Sequence, residues 1–275
     1  MHSPRMAKII WSYWENPPGG SVKPHVRLCR ATLREHLGDC EFRLVTPDNL
    51  ADYLPDLPAN VHRIERDEKP GQPCIAIRAG VLRVFLLEKY GGMWLDADAV
   101  VLRSLDPVFD RLETHEFVGM RRTSSPRQHV VNNFFASRAG GEIITEYADT
   151  LRELVEQKHV FVWNEVGSFA LTPIVDRQLD RVFLFPEKDV HPLVAGKQHF
   201  YMRDDIEPDE VIDGDTLTFM LFHRIFDGEN PRVGRGLLDA TVGDLYDSDM
   251  LISKVLRRAL PRDRYRELMS SAEGA

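Results

Sequence analysis

Apolar and polar positions switch between two periods over the first hundred residues. Lys8–Trp14 is a nearly unbroken apolar run, the pattern of a strand buried on both faces, and a loop follows through Asn16, Pro17, Pro18, Gly19 and Gly20. Val26–Leu37 carries its apolar residues at helical spacing and stops at Gly38. Glu41–Val45 predicts a short strand, Thr46-Pro47-Asp48 the start of a short helix, and Val61–Ile64 another strand. Ile75–Tyr90 is helical in pattern but apolar on more than one side, so it reads as a buried helix ended by Gly91. A buried strand follows the Gly91-Gly92 pair. Strands alternating with helices imply parallel pairing and an α/β layered fold.

Beyond this region Val100–Leu105 continues as extended chain and Asp106-Pro107 turns it. Phe117–Met120, Asn133–Ala136 and Val182–Phe185 read as strands, the last closed by Pro186. Arg121–His129 is polar and contains proline, so it reads as a loop. Gly141–Lys158 is the longest amphipathic helix, with Ile144, Tyr147, Ala148, Leu151, Leu154 and Val155 on its inner side. Phe169–Thr172 opens a further helix before Pro173, and Asp213 and Asp215 flank Gly214 in a turn. No repeat or linker divides the chain, which reads as a single domain over 1–275 with a basic helical appendage over 245–275.

Composition narrows the function more than the fold. With 43% hydrophobic and 28% charged residues, the 275-residue chain matches an ordinary globular enzyme. A net charge of −8 argues against a nucleic-acid binder, whose phosphate contacts need a basic surface. Three cysteines, Cys29, Cys40 and Cys74, at no metal or redox spacing, suit reduced thiols in a cytosolic compartment. No signal-peptide core or membrane-spanning run is present in the sequence. Leu251–Arg266 is basic in an acidic chain. It reads either as a solvated C-terminal helix broken by Pro261 or as a contact for the inner face of an anionic membrane.

The chemistry concentrates in Gly91-Gly92-Met93-Trp94-Leu95-Asp96-Ala97-Asp98. Residues i and i+2 of a strand point the same way, so Asp96 and Asp98 can converge where the strand ends. Paired carboxylate oxygens suit a hard divalent cation, and Mg²⁺ characteristically combines one or two carboxylates with substrate phosphates. Arg83, a guanidinium inside an apolar helix, needs an anion, for which a diphosphate is suitable.

The stretch from Leu82 through Leu105 (LRVFLLEKYGGMWLDADAVVLRSL) resembles the sugar-binding region of DxD glycosyltransferases, most closely the capsular polysaccharide synthesis proteins. Initiating mannosyltransferases of the yeast type and clostridial glucosylating toxins resemble it more distantly. The opening strand ending in Trp14, Asn16-Pro17, Leu28-Cys29 and Asn132–Ser137 carry further similarity, good from residue 8 to about residue 150 and thin beyond. The resemblance implies a GT-A type fold, a Rossmann-like mixed sheet flanked by helices, binding a nucleotide sugar (a UDP-sugar being the commonest) with Mn²⁺ or Mg²⁺. Carried over by position, Asp98 ligates the metal, Asp96 contacts the ribose or the metal's water shell, and Trp14 lies near the nucleobase. Arg83 reaches the donor sugar or its phosphate, and Asn132 and Asn133 recognise hydroxyls. His223, after an apolar strand, is the candidate third metal ligand; such a histidine also serves as a structural residue. The implied acceptor is a saccharide or lipid-linked glycan in surface polysaccharide synthesis, and the related families are largely retaining.

One departure stands out. Where the family has Ser-Asp or Ala-Asp, with the Asp three residues before the arginine, this chain has Ala79-Gly80. A carboxylate that touches donor-sugar hydroxyls is missing, with Arg78 the nearby residue that could fill the role. Two rival readings remain open: a haloacid-dehalogenase-type phosphatase with Asp96 as nucleophile and Asp98 as acid/base, and a nucleotide-sugar-binding subunit without catalysis.

Overall fold

A computed structural model of the chain describes residues 7–16, 19–194, 196–226, 228 and 237–270. Pro17 and Pro18 of the expected loop and the last five residues of the expected appendage lie outside them. The chain folds into two compact units whose segments interleave in sequence. The first comprises Met1–Glu15, Asp39–Asp96 and Asp106–Phe185; the second comprises Asn16–Gly38, Ala97–Leu105 and Pro186–Ala275.

The first unit is a mixed α/β layer structure. Its sheet runs in the order 182–185, 117–122, 134–137, 92–95, 9–13, 41–45, with the short strand 129–130 pairing 117–122 off this path. The strand Ile9–Tyr13 pairs in parallel with Glu41–Val45 and Gly92–Leu95, as the alternating pattern requires, while Phe134–Ser137 runs antiparallel to both of its neighbours. Ile9–Tyr13 is buried along its whole length, which accounts for its lack of polar alternation. Helices Ile75–Tyr90 and Glu142–Gln157 pack on the sheet, and the core includes Trp11, Leu82, Phe85, Trp94, Tyr147 and Leu151.

The buried helix ends where expected, and the reason is geometric. Gly91 and Gly92 have φ of 67° and 100°, a region that side-chain-bearing residues rarely adopt. A Cβ on Gly92 would lie 2.4 Å from the Ile9 carbonyl oxygen. Trp11 locks the turn by donating its indole N–H to the Gly91 carbonyl at 3.0 Å.

Several expectations are corrected. Val61–Ile64 is no strand: Ala59–Arg63 forms a 3₁₀ turn in which Val61 N–H returns to the Pro58 carbonyl, because Pro58 presets the chain for turning. Asp106-Pro107 begins a helix, Asp106–Leu112, with proline in the first turn, where its missing N–H costs nothing. The segment 121–129 is partly strand, at Phe117–Arg122 and His129–Val130.

The second unit gathers helix Pro24–Glu35, the antiparallel pair Ala99–Val101 and Thr218–Met220, and helices Val242–Asp247, Leu251–Ala259 and Arg262–Ser270. Its own core contains Leu28, Val100, Tyr201, Phe219, Tyr246, Ile252 and Leu256. The basic tail belongs to this core. Leu251, Ile252, Val255, Leu256 and Ala259 are buried. Lys254 reaches Glu207 at 2.7 Å, Arg257 binds the carbonyls of Tyr246 and Ser248, and Arg258 and Arg262 pair with Asp209 and Asp247. The apolar face of Leu251–Ala259 is thus turned into this core, and these four cations have partners within the protein. Among the described residues no helix is long and apolar enough to cross a membrane.

Candidate functional site

Each unit brings together its own group of the expected site residues. In the first, the ladder between 92–95 and 134–137 delivers Asp96 to the sheet's end, where its N–H donates to the Asn133 carbonyl at 3.0 Å. Trp94 lies two residues earlier on the same face and donates its indole N–H to Asp96 Oδ1 at 2.7 Å. Arg83 Nη2 lies 3.1 Å from the same oxygen. The rest of this guanidinium is also engaged: Nε donates to the Ala79 carbonyl at 3.1 Å, Nη1 donates to the Asn132 carbonyl, and the group lies 4.9 Å over the Trp94 ring. Arg83 is only 4% exposed, so it requires an anion, and Asp96 is that anion within the protein. Arg83, Asp96 and the backbone of Asn132 thus form one connected group.

Arg78, one helix turn and a residue before Arg83, takes a different partner. Its Nη2 donates to Glu15 Oε2, and the Tyr13 hydroxyl donates to the same oxygen at 2.8 Å. Burial, then the bond to Glu15, pushes the Tyr13 hydroxyl well above its ordinary pKa. Arg78 Nε is buried without a hydrogen-bond partner. Glu15 is a carboxylate that sequence reasoning did not single out. Trp14 sits past the end of the first strand, partly exposed, with its backbone N–H donating to the Val45 carbonyl at 3.0 Å. Asn133 Oδ1 is buried and has no hydrogen-bond partner, which is unusual for an interior acceptor.

The structure also explains the absent carboxylate at position 80. A Cβ there would stand 3.1 Å from Val166 Cγ2 and 3.9 Å from Asn132 Nδ2, so neighbouring side chains occupy the space that a longer residue would need. Glycine in a helix interior costs roughly 1 kcal/mol relative to alanine, and here it permits this close approach.

In the second unit, the antiparallel pairing of Met220 with Ala99 carries the two chains past each other at Asp98. The Asp98 carbonyl accepts the Leu221 N–H at 3.0 Å, and its Oδ2 accepts the His223 N–H at 2.8 Å. Between them Phe222 adopts φ 51°, a conformation rare for a bulky residue, which turns the chain back at Asp98. His223 Nδ1 lies 3.0 Å from His25 Nε2, and the His25 ring stacks on Phe226 at 3.8 Å. His25 is 1% exposed. Burial first, then His223 and Lys23, lowers its pKa to about 2. The Cys29 thiol is raised by burial and then by Asp98. His25 carries no local signal that sequence reasoning could use, since its partner is far along the chain.

Asp98 offers a carboxylate, a donor that suits Mg²⁺ and Mn²⁺, and His223 an imidazole, a donor that suits softer divalent ions. Among the described residues no three His, Cys, Asp or Glu side chains form a cluster that could hold a metal ion.

The model of a family described as "Capsular polysaccharide synthesis protein" matches residues 1–163. The O-glycosyltransferase PaGT of Phomopsis amygdali is 30% identical over 167 residues, covering 54% of this chain. The chain spans 38% of the length of that curated relative. Among solved structures, the PaToxG glycosyltransferase aligns with 64% of this chain and 70% of its own, at 13% identity and a TM-score of 0.44. The apo-form glycosyltransferase GlyE of Streptococcus pneumoniae TIGR4 aligns with 80% of this chain and 55% of its own, at 13% identity and a TM-score of 0.46.

Proposed function

This chain belongs to the capsular polysaccharide synthesis protein family, and from that membership we propose that it is a metal-dependent glycosyltransferase of GT-A type. It moves a sugar from a nucleoside-diphosphate sugar, a UDP-sugar by preference, to a saccharide or lipid-linked acceptor in the cytoplasm, with retention of configuration. The observation that carries this reading is the division of labour within the Asp96-Ala97-Asp98 motif. Asp96 is committed to Arg83 and Trp94, whereas Asp98 is held against His223.

In this reading Asp98 and His223 hold Mn²⁺ or Mg²⁺. The bound cation supplies electrostatic stabilisation of the departing nucleoside diphosphate. Arg83 fixes Asp96 in orientation, so that its carboxylate can face the ribose. Trp14 offers an aromatic face for the base. Asn133 Oδ1, buried without a hydrogen-bond partner, is suited to accept a donor-sugar hydroxyl, and the Asn132 side chain lines the same segment. With Gly80 unable to supply a carboxylate, the Arg78–Glu15 pair is the charged group closest in the chain to take over sugar recognition.

The family match spans the Asp96 region, which favours transfer over the phosphatase alternative. A thermal-shift panel of nucleotide sugars with and without Mn²⁺ tests the proposal, because a ligand that binds the native state raises the melting temperature. One nucleotide sugar should raise it only when Mn²⁺ is present. No metal-linked shift with any of them would overturn the reading, and binding without turnover in the presence of acceptors would favour a subunit without catalysis.

A further inference from the structure

We infer that Trp163 and Phe169 form an aromatic platform for the acceptor saccharide, their exposed ring surface taking its C–H groups while Arg66 and Arg127 beside them take its hydroxyls. The inference rests on the reading of this chain as a glycosyltransferase and deepens it, because that reading assigns the acceptor no residue.

Exposed large apolar side chains are unevenly spread over the described residues. Val160, Val162, Trp163 and Phe169 all lie within residues 160–169, and Trp163 and Phe169, 42% and 44% exposed, are the aromatic ones. Apolar surface gathered in this way marks a place where something binds. Its size says what kind of ligand fits. A large aromatic side chain can bury about 150–250 Å², so two rings at these exposures present roughly 200 Å². A stable protein interface needs about 800 Å² from each partner. The patch therefore suits a small ligand. A pyranose offers C–H groups on its faces and hydroxyls around its rim, and both find partners here. The Arg66 guanidinium lies 5.2 Å from the Trp163 ring centroid, and that of Arg127 lies 5.5 Å from the ring of Phe169. Each ring thus has hydrogen-bond donors at its side.

The backbone fixes both rings. The Asn164 carbonyl accepts the N–H groups of Gly167 at 3.0 Å and of Phe169 at 3.1 Å, which returns Phe169 to the residue after Trp163. Asn164 takes φ 69°, a left-handed conformation that persists where the surroundings impose it. Here the Tyr147 hydroxyl donates to the Val166 carbonyl at 2.7 Å, and Glu165 Oε2 accepts the Val162 N–H at 3.0 Å. The middle of the turn, Val166, Gly167 and Ser168, is buried. A Cβ on Gly167 would stand 2.8 Å from Asn132 Nδ2, and Val166 Cγ2 stands against Gly80. One turn therefore carries aromatic rings at the surface and touches, at its middle, a side chain assigned to the donor sugar. An acceptor has to meet that sugar at its reacting carbon, so an element continuous with the donor site is where its platform belongs.

The test is capture of the full chain, with UDP and Mn²⁺ present, by an array of hexose, N-acetylhexosamine, deoxyhexose and uronic acid oligosaccharides. Calorimetry on the glycan captured best then compares the wild type with Trp163→Ala, Trp163→Phe and Phe169→Ala. The expected result is capture of at least one saccharide, with affinity lowered about 10-fold in each alanine variant and less in Trp163→Phe, which keeps a ring. No capture by the wild type, or wild-type affinity in both alanine variants, would overturn the inference. A wild-type dimer in sedimentation that Trp163→Ala converts to monomer would overturn it too, because the patch would then join two copies of the chain. A Mn²⁺-linked thermal shift of the wild type with a nucleotide sugar, recorded in parallel, separates the two levels of the argument. With that shift present and capture absent, the platform falls and the transferase reading stands. Without the shift, the transferase reading falls and the inference falls with it.

Discussion

Asp98 Oδ2 accepts the backbone N–H of His223 at 2.8 Å, joining residues 125 positions apart in the sequence. The bond fixes a carboxylate against the start of the segment that carries an imidazole, and it depends on the His223 backbone alone. Removing the His223 side chain therefore leaves the clamp in place and tests the imidazole separately.

If both side chains ligate one cation, their contributions are coupled. Asp98→Asn and His223→Ala should each lower Mn²⁺ affinity by about 10-fold or more, a size typical of altered metal sites. The double variant should fall clearly short of the product of the two effects. Calorimetric titration of the four proteins checks this, and full additivity would argue that the two side chains bind independently.

Arg83→Ala should destabilise the protein by about 3 kcal/mol, because it removes the buried guanidinium that pairs with Asp96 and donates to the Ala79 and Asn132 carbonyls. Arg83→Lys should recover only part of that, since an ammonium lacks the planar fork that reaches three partners. Urea denaturation of the three proteins gives both values.

Gly80→Asp restores the acid usual at this position in the family but should not restore a function. Its Cβ would meet Val166 Cγ2 at 3.1 Å, so the expected cost is about 1–3 kcal/mol. Adding Val166→Ala opens space and should return part of the loss. Equal melting temperatures for Gly80→Asp and the wild type would contradict the packing account.

Acid sensitivity has an identified contributor in the second unit. Asp213 is lowered to about 2, first by Lys188 and then by backbone N–H groups that include that of Asp215. A carboxyl whose folded pKa lies below its unfolded value near 3.8 stabilises the fold above that pH and loses the contribution as pH falls toward 2. Asp213→Asn should flatten the stability profile between about pH 4 and 2 while leaving its shape near neutrality unchanged. Denaturation at a series of pH values measures it.

Much of this architecture was legible from local pattern. Ile75–Tyr90 is a helix over the residues its apolar spacing marks, and Gly91 and Gly92 end it in conformations only glycine takes easily. What was not legible depends on partners far away in the sequence. His25 looks like an ordinary helix residue until His223, 198 positions later, is beside it. The anion for Arg83 was expected to be a substrate phosphate, yet Asp96 provides one from a strand that follows the helix. Val61–Ile64 was misread because its apolar residues suit a strand while Pro58 commits the backbone to a turn. The interleaving of the two units was invisible as well, since the boundary between them falls inside the motif, after Asp96.

The central claim is that Asp98 anchors a cation needed for sugar transfer. Its most direct test is release of nucleoside diphosphate from a panel of nucleotide sugars, with and without Mn²⁺, by the wild type and Asp98→Asn. The account predicts turnover of at least one donor by the wild type, abolished by chelation and lowered about 100-fold or more in Asp98→Asn, the scale of losing one electrostatic contact to the transition state. Turnover that persists at the wild-type rate in Asp98→Asn, with its metal dependence unchanged, would contradict it.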